Sequence, residues 1–182
     1  MGEYWPVLTI RQPWQFAIEH GKPVENRTWN MTYRGPLWLH AGARSRWDPA
    51  GERHPLVRLE WEQYVRRIPG WPGLPVGDVE LGRKTTLMPF GAVSALAEVA
   101  GCHHAGDCGV TVPERPRLLV MCTPWAAQGQ FHITLENVRP LPEPVPCRGM
   151  LGLWRLPDDV EKAVRAQLGA QSEVSTEEER CP

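Results

Sequence analysis

Lysine is nearly missing from this chain. Only Lys22, Lys84 and Lys162 occur among its 20 basic residues, and the other 17 are arginines. Such a bias can reflect genome composition and carries no functional weight by itself. Also missing is any apolar run approaching the roughly 18 residues of a membrane span, so no membrane partner is expected. The amino terminus lacks a basic region followed by an apolar stretch, which argues against a secretion signal. Met1-Gly2 is followed by Pro6 where a myristoylation signal has Ser or Thr. There is no internal repeat. The five cysteines are odd in number and show no disulfide-like framework, which suits a reducing cytoplasm, and a cytoplasmic location is expected. No Cys-x-x-Cys or His-x-x-x-His pair is present. The segment CHHAGDC (Cys102, His103, His104, Cys108), with Cys122 and Cys147 elsewhere, therefore offers soft ligands without a zinc-like spacing. No metal and no cofactor is expected.

What is present is a globular composition in 182 residues, enough for one domain with a single core. The net charge of −1 is unevenly spread. Residues 11–46 carry six basic groups (Arg11, Lys22, Arg27, Arg34, Arg44, Arg46) against Glu19 and Glu25, whereas the end of the chain is acidic. A locally basic segment on a near-neutral body fits a focused anion site better than a broad duplex-binding face.

The β-branched run PVLTIR predicts a strand over 6–11. Pro13 suits the first position of a helix over 14–20, which Gly21 stops. Pro23 forces the chain to be extended, and residues 24–29 should place Glu25, Arg27 and Trp29 on one face. GPLWLHAG (35–42) reads as a central strand and Asp48-Pro49 as a helix start. Val57, Trp61, Tyr64, Val65 and Ile68 have helical spacing. Residues 69–89 read as a long loop, 90–102 as a strand and 103–127 as an insertion. A strand is expected over 131–141, an extended proline-rich passage after it, and a closing strand over 147–157. Asp158 with Glu161 makes a capping box for a last helix with Val160, Ala163, Val164 and Leu168 on its apolar face. The expected organisation is one domain over 1–168 and a disordered acidic tail over 169–182. The fold class is α+β, a small, partly closed β-barrel with flanking helices.

Three clusters stand out: IRQPW (10–14), GKPVENRTW (21–29) and YRGPLWLHAGAR (33–44). On the residues alone, Lys22, Glu25 and Arg27 suit either a structural ion-pair network or a ligand cleft. Gln12 suits either a base edge or the backbone groups of a turn. Trp14, Trp29, Trp38 and Trp154 suit the core, and one of them in a cleft would suffice to stack a base.

LTIRQPWQFAIEHGKPVENRTW, YRGPLWLHAG and FHITLENVRPLPEPVPCRGMLGLW together resemble an ASCH domain of the PUA-like superfamily, a resemblance spanning nearly all of residues 5–157. The family's Gly-x-Lys-x-x-Glu-x-Arg signature is matched by Gly21-Lys22-Pro23-Val24-Glu25-Asn26-Arg27, with Gly directly before Lys. The resemblance implies a PUA-like barrel with a cleft beside this segment, and single-stranded RNA, another nucleic acid or a nucleotide as partner. Lys22 and Arg27 would hold a phosphate or base edge, with Glu25 orienting them. Gln12, Trp14, Trp29, Arg34, His40 and Arg148 complete the expected ligand-binding set. Bacterial relatives that hydrolyse the acetyl amide of acetylcytidine share the lysine at Lys22, but carry threonine at the position of Glu25. The alternative the resemblance implies is thus a small hydrolase acting on a nucleoside amide or an RNA phosphodiester, with Lys22 and Glu25 as its catalytic acid–base pair.

Overall fold

In the computed structural model, which describes residues 4–69, 78–108, 110–112 and 115–178, short β-branched and alternating segments form one curled six-stranded sheet. The strands are β1 (Val7–Ile10), β2 (Val24–Arg27), β3 (Gly35–Ala41), β4 (Ala92–His104), β7 (Phe131–Pro146) and β8 (Leu153–Trp154), in the order β2-β7-β4-β3-β1-β8. A separate hairpin pairs β5 (Val110–Val112) with β6 (Arg115–Val120). Among the described residues only β1 and β3 run parallel, and their connection carries α1 (Trp14–Glu19) and β2, as a parallel pair requires a crossover. Register shifts at three places in the β4–β7 pairing bend both long strands, in the manner of bulges, and give the sheet the curl of a half-barrel. The α+β class is as the sequence predicts.

Strand periodicity sorts side chains onto two faces, both buried. Leu8, Ile10, Leu37, Leu39, Ile133 and Leu135 fill one side, with Ile18 and Met31. Val7, Trp38, Leu96 and Trp154 fill the other, covered by Val160 and Val164 of α5 (Asp158–Glu178). A third cluster packs Phe16 and Ala17 of α1 against Val57, Trp61 and Val65 of α3 (Pro55–Arg66). Asp48 caps α2 (Pro49–Arg53) by accepting from Ala50 N at 3.0 Å. The helix read as continuous from residue 49 is interrupted at His54, because Pro55 keeps its predecessor extended.

Other expectations need correction. The long loop contains α4 (Glu80–Lys84), with Val79 and Met88 buried in the third cluster; residues 70–77 lie outside the described residues. The proline-rich passage is extended as expected, but it belongs to the sheet as the second half of β7, paired with β4 at Pro140, Val145 and Pro146. The closing strand shrinks to Leu153–Trp154, since Gly152, at φ +67°, turns the preceding segment away from the sheet. The last helix continues past Leu168 to Glu178, into the segment read as an acidic tail; residues 179–182 lie outside the described residues.

Candidate functional site

Helix α1 ends at a turn in which Gly21 takes φ +118° and Lys22 N donates to Ala17 O at 2.9 Å, aiming the lysine side chain inward. Strand β2 then pairs with β7, setting Glu25 opposite Ile133. Lys22 Nζ lies 2.9 Å from Glu25 Oε2, and Arg27 Nε lies 3.1 Å from Glu25 Oε1. The Arg27 contact is an ion pair without hydrogen-bond alignment, because that buried Nε has no acceptor in line. Arg27 Nη2 instead donates to Thr9 O at 2.8 Å. Lys22, Glu25 and Arg27 therefore meet as the alternation predicts, and the chain bends at Pro23 so that Lys22 joins them.

A cavity of about 360 Å³ opens beside this trio. Part of its wall is aromatic, formed by Trp14, His54 and Trp125. Trp14 is fixed by Nε1 donating to Asp48 Oδ2 at 3.0 Å, and Lys22 Nζ sits 5.6 Å from its ring centroid. His54 meets Trp14 edge-on at 5.3 Å and stacks on Trp125 at 5.4 Å with 11° between the planes. Burial, with a smaller contribution from the Lys22 charge, pushes the His54 pKa down and keeps its ring neutral. Asn26 anchors the loop that carries Trp125: its Nδ2 donates to Trp125 O at 2.9 Å, and Ala127 N donates to its Oδ1 at 3.1 Å.

A second cavity, of about 600 Å³, shares Arg11 and Arg27 with the first and adds Arg46 and Arg148. No carboxylate is among its lining residues. His40 forms part of its floor. The ring is 1% exposed, its Nε2–H donates to Cys147 O at 3.1 Å, and its buried Nδ1 has no partner among the described residues. Burial lowers the His40 pKa, so Nδ1 presents a lone pair rather than a proton. Gly149 lies flat on this ring, where a Cβ would sit 2.5 Å from His40 Cε1 and 2.9 Å from Thr9 Oγ1.

Of the expected site residues, Trp14, Lys22, Glu25 and Arg27 line the first cavity, and His40 and Arg148 the second. Three fall elsewhere. Gln12 is 1% exposed and spent on backbone, donating from Nε2 to Pro89 O and accepting from Phe16 N. Trp29, just past the end of β2, packs against the first core cluster. Arg34 folds back to donate to Met31 O and Tyr33 O, both at 2.8 Å. Arg11, Arg46, Asn26, His54 and Trp125 were missed. Arg11 and Arg46 stood inside the basic segment already noted, so charge alone could have included them. His54 and Trp125 come from α2–α3 and the 121–130 loop, and no local pattern joins them.

The absence of zinc-like spacing also proves a poor guide to proximity. His103, Cys108, Cys122 and His132 bring their ligand atoms within 4.8 Å of one another. Cys102 and His104, their neighbours in sequence, are turned away by strand alternation: Cys102 Sγ accepts from Met31 N at 3.4 Å, and His104 Nδ1 from Gly106 N at 3.1 Å. Compared with known proteins, the chain matches no family model and no curated protein.

Proposed function

We propose that the two adjoining cavities, which share Arg11 and Arg27, bind a nucleotide or a short stretch of single-stranded RNA, with phosphate on the arginine side and a base on the aromatic side. The observation that carries this reading is the arginine cavity: Arg11, Arg27, Arg46 and Arg148 converge on it without a carboxylate in its lining. Planar guanidinium groups suit phosphate oxygens by paired hydrogen bonds. Among the described residues, Arg46 and Arg148 take part in no ion pair, so both are free to meet an anion. The contiguous Trp14, His54 and Trp125 surfaces provide the π-faces on which a base stacks. The resemblance to the ASCH domain, whose signature lysine, glutamate and arginine fall here on the cavity wall, supports the same reading.

A catalytic reading rests on the Lys22–Glu25 pair, buried at the cavity wall and within proton-transfer distance. Both oxygens of Glu25 are already engaged, Oε2 with Lys22 and Oε1 with Arg27, which suits a carboxylate that orients the two cations better than one poised to take a proton from a substrate. Binding is therefore the reading favoured.

The test is fluorescence anisotropy with labelled short RNAs and competing nucleotides at several salt concentrations. Arg46→Ala and Arg148→Ala should each weaken binding and flatten the slope of log affinity against log salt by about 0.7. Trp125→Ala should cost about 1–3 kcal/mol of affinity. An absence of binding to any of these ligands at low salt, or full affinity in both arginine variants, would overturn the proposal. Turnover of acetylated cytidine or of RNA that vanishes in Lys22→Ala and Glu25→Gln would replace it with the hydrolytic reading.

A further inference from the structure

The His/Cys cluster is separate from the cleft chemistry and has its own geometry. Strand pairing sets His103 of β4 directly opposite His132 of β7. Cys108 follows a single 3-10 turn, Ala105–Asp107, that leaves the end of β4, and Cys122 follows the end of β6. The β5–β6 hairpin thus lies between the two cysteines, and its base is brought onto the sheet where the two histidines pair. His103 Nε2 is 3.1 Å from Cys108 Sγ, and His132 Nδ1 is 3.0 Å from Cys108 Sγ and 3.5 Å from Cys122 Sγ.

We propose that His103, Cys108, Cys122 and His132 form a tetrahedral binding site for one zinc ion, which clips the β5–β6 hairpin to the sheet. Zinc–sulfur bonds of about 2.3 Å and zinc–nitrogen bonds of about 2.0–2.1 Å at tetrahedral angles place sulfur and nitrogen ligands about 3.6 Å apart. The observed separations of 3.0, 3.1 and 3.5 Å lie just inside that figure. Two thiolates and two imidazoles match the borderline-soft preference of zinc, and four protein ligands leave no open position for chemistry, so the site is structural.

The support around the ligands points the same way. His132 is fully buried, and its Nε2 lies 2.8 Å from Ala127 O. A carbonyl only accepts, so Nε2 carries the proton and Nδ1 turns its lone pair to the cysteines. This is the outer hydrogen bond that commonly orients a metal-binding histidine. The same Ala127 gives its N–H to Asn26 Oδ1 in the cleft wall. One residue therefore ties the cluster to the loop that carries Trp125. The spacing His-x4-Cys-x13-Cys-x9-His, from positions 103, 108, 122 and 132, escapes any local motif because tertiary register closes it.

Elemental analysis of the full chain, purified under reducing conditions without added metal, should find one zinc per chain. Cobalt(II) exchanged into it should show tetrahedral d–d absorption with thiolate charge transfer. Cys122 is exposed, so Cys122→Ser should fold, weaken metal binding by tenfold or more and diminish the charge-transfer band. Cys102→Ser and His104→Gln should retain the wild-type metal content and spectrum. Chelation should speed hydrogen exchange in β5 and β6, within residues 110–120, and across the loop at 121–130. Wild type that takes up neither zinc nor cobalt on titration would overturn the site. So would a cobalt spectrum indifferent to Cys122→Ser, or a Cys108–Cys122 disulfide in the reduced preparation. Metal binding without any change in exchange on chelation would overturn the clip.

Discussion

The ammonium of Lys22 lies 2.9 Å from the carboxylate of Glu25, with the lysine side chain 1% and the glutamate side chain 9% exposed. Removing one partner of such a pair strands the other charge out of water. Lys22→Met should destabilise the fold by about 3–5 kcal/mol in urea unfolding, because Glu25 is left with Arg27 alone. The double variant Lys22→Met with Glu25→Gln should cost less than the sum of the two single variants, as for any directly coupled pair. Strict additivity would show that the two groups do not interact energetically.

His20 supplies a pH test. Its ring stacks on Phe16 at 4.0 Å, meets Tyr64 edge-on at 5.0 Å, and donates from Nδ1 to Phe16 O at 2.8 Å. Burial pushes its pKa below the ordinary 6.5, and Arg67 adds to the effect. Below pH 6.5 the unfolded chain therefore binds the proton that the folded chain refuses, and stability falls as pH drops toward the folded pKa. Comparing wild type with His20→Phe isolates this group from every other titrating side chain. The variant should lose less stability between pH 7.5 and pH 5 than wild type does. Equal losses would show that His20 titrates alike in both states.

Gly149→Ala places a methyl group 2.5 Å from His40 Cε1 and 2.7 Å from Nδ1. The ring cannot retreat without giving up its bond to Cys147 O. Thermal unfolding should report a loss of about 1–3 kcal/mol, and nucleotide binding should weaken with it as the loop bearing Arg148 lifts. An alanine variant with wild-type stability and binding would show that the loop shifts freely.

Truncation after Leu168 is expected to leave the melting temperature nearly unchanged. Helix α5 is held on the sheet by Val160, Val164 and Leu168, and by Gln167, which donates from Nε2 to Glu143 O and accepts from Glu143 N. A drop of about 5 °C or more in differential scanning calorimetry would reveal docking by the residues beyond.

The parts of this molecule legible in its sequence are those whose cause is local. β-branched content marks β1, alternation marks β3 and the first half of β7, Asp48-Pro49 marks the α2 start, and a two-residue repeat puts Glu25 beside Arg27. What stayed hidden depends on register between distant segments. Pro140 to Pro146 look unsuited to a sheet, yet they pair with the start of β4, Ala92 to Ala95. Nothing local distinguishes His132 within its strand, and it is the pairing with His103 that puts it beside Cys108 and Cys122. Gln12, Trp29 and Arg34 lie outside both cavities for the opposite reason: each has a nearby backbone or core partner that engages it.

The adjacency of β8 to β1 has a further consequence during synthesis. The arginine cavity is lined from Thr9 to Gly152, positions 143 apart (152 − 9), so its floor is laid down early and its rim late. Chain closure over that span costs entropy that only the finished sheet offsets. A ribosome-bound chain therefore lacks the complete arginine cavity until the segment around Gly152 has emerged, and any anion binding there would report complete translation of the sheet.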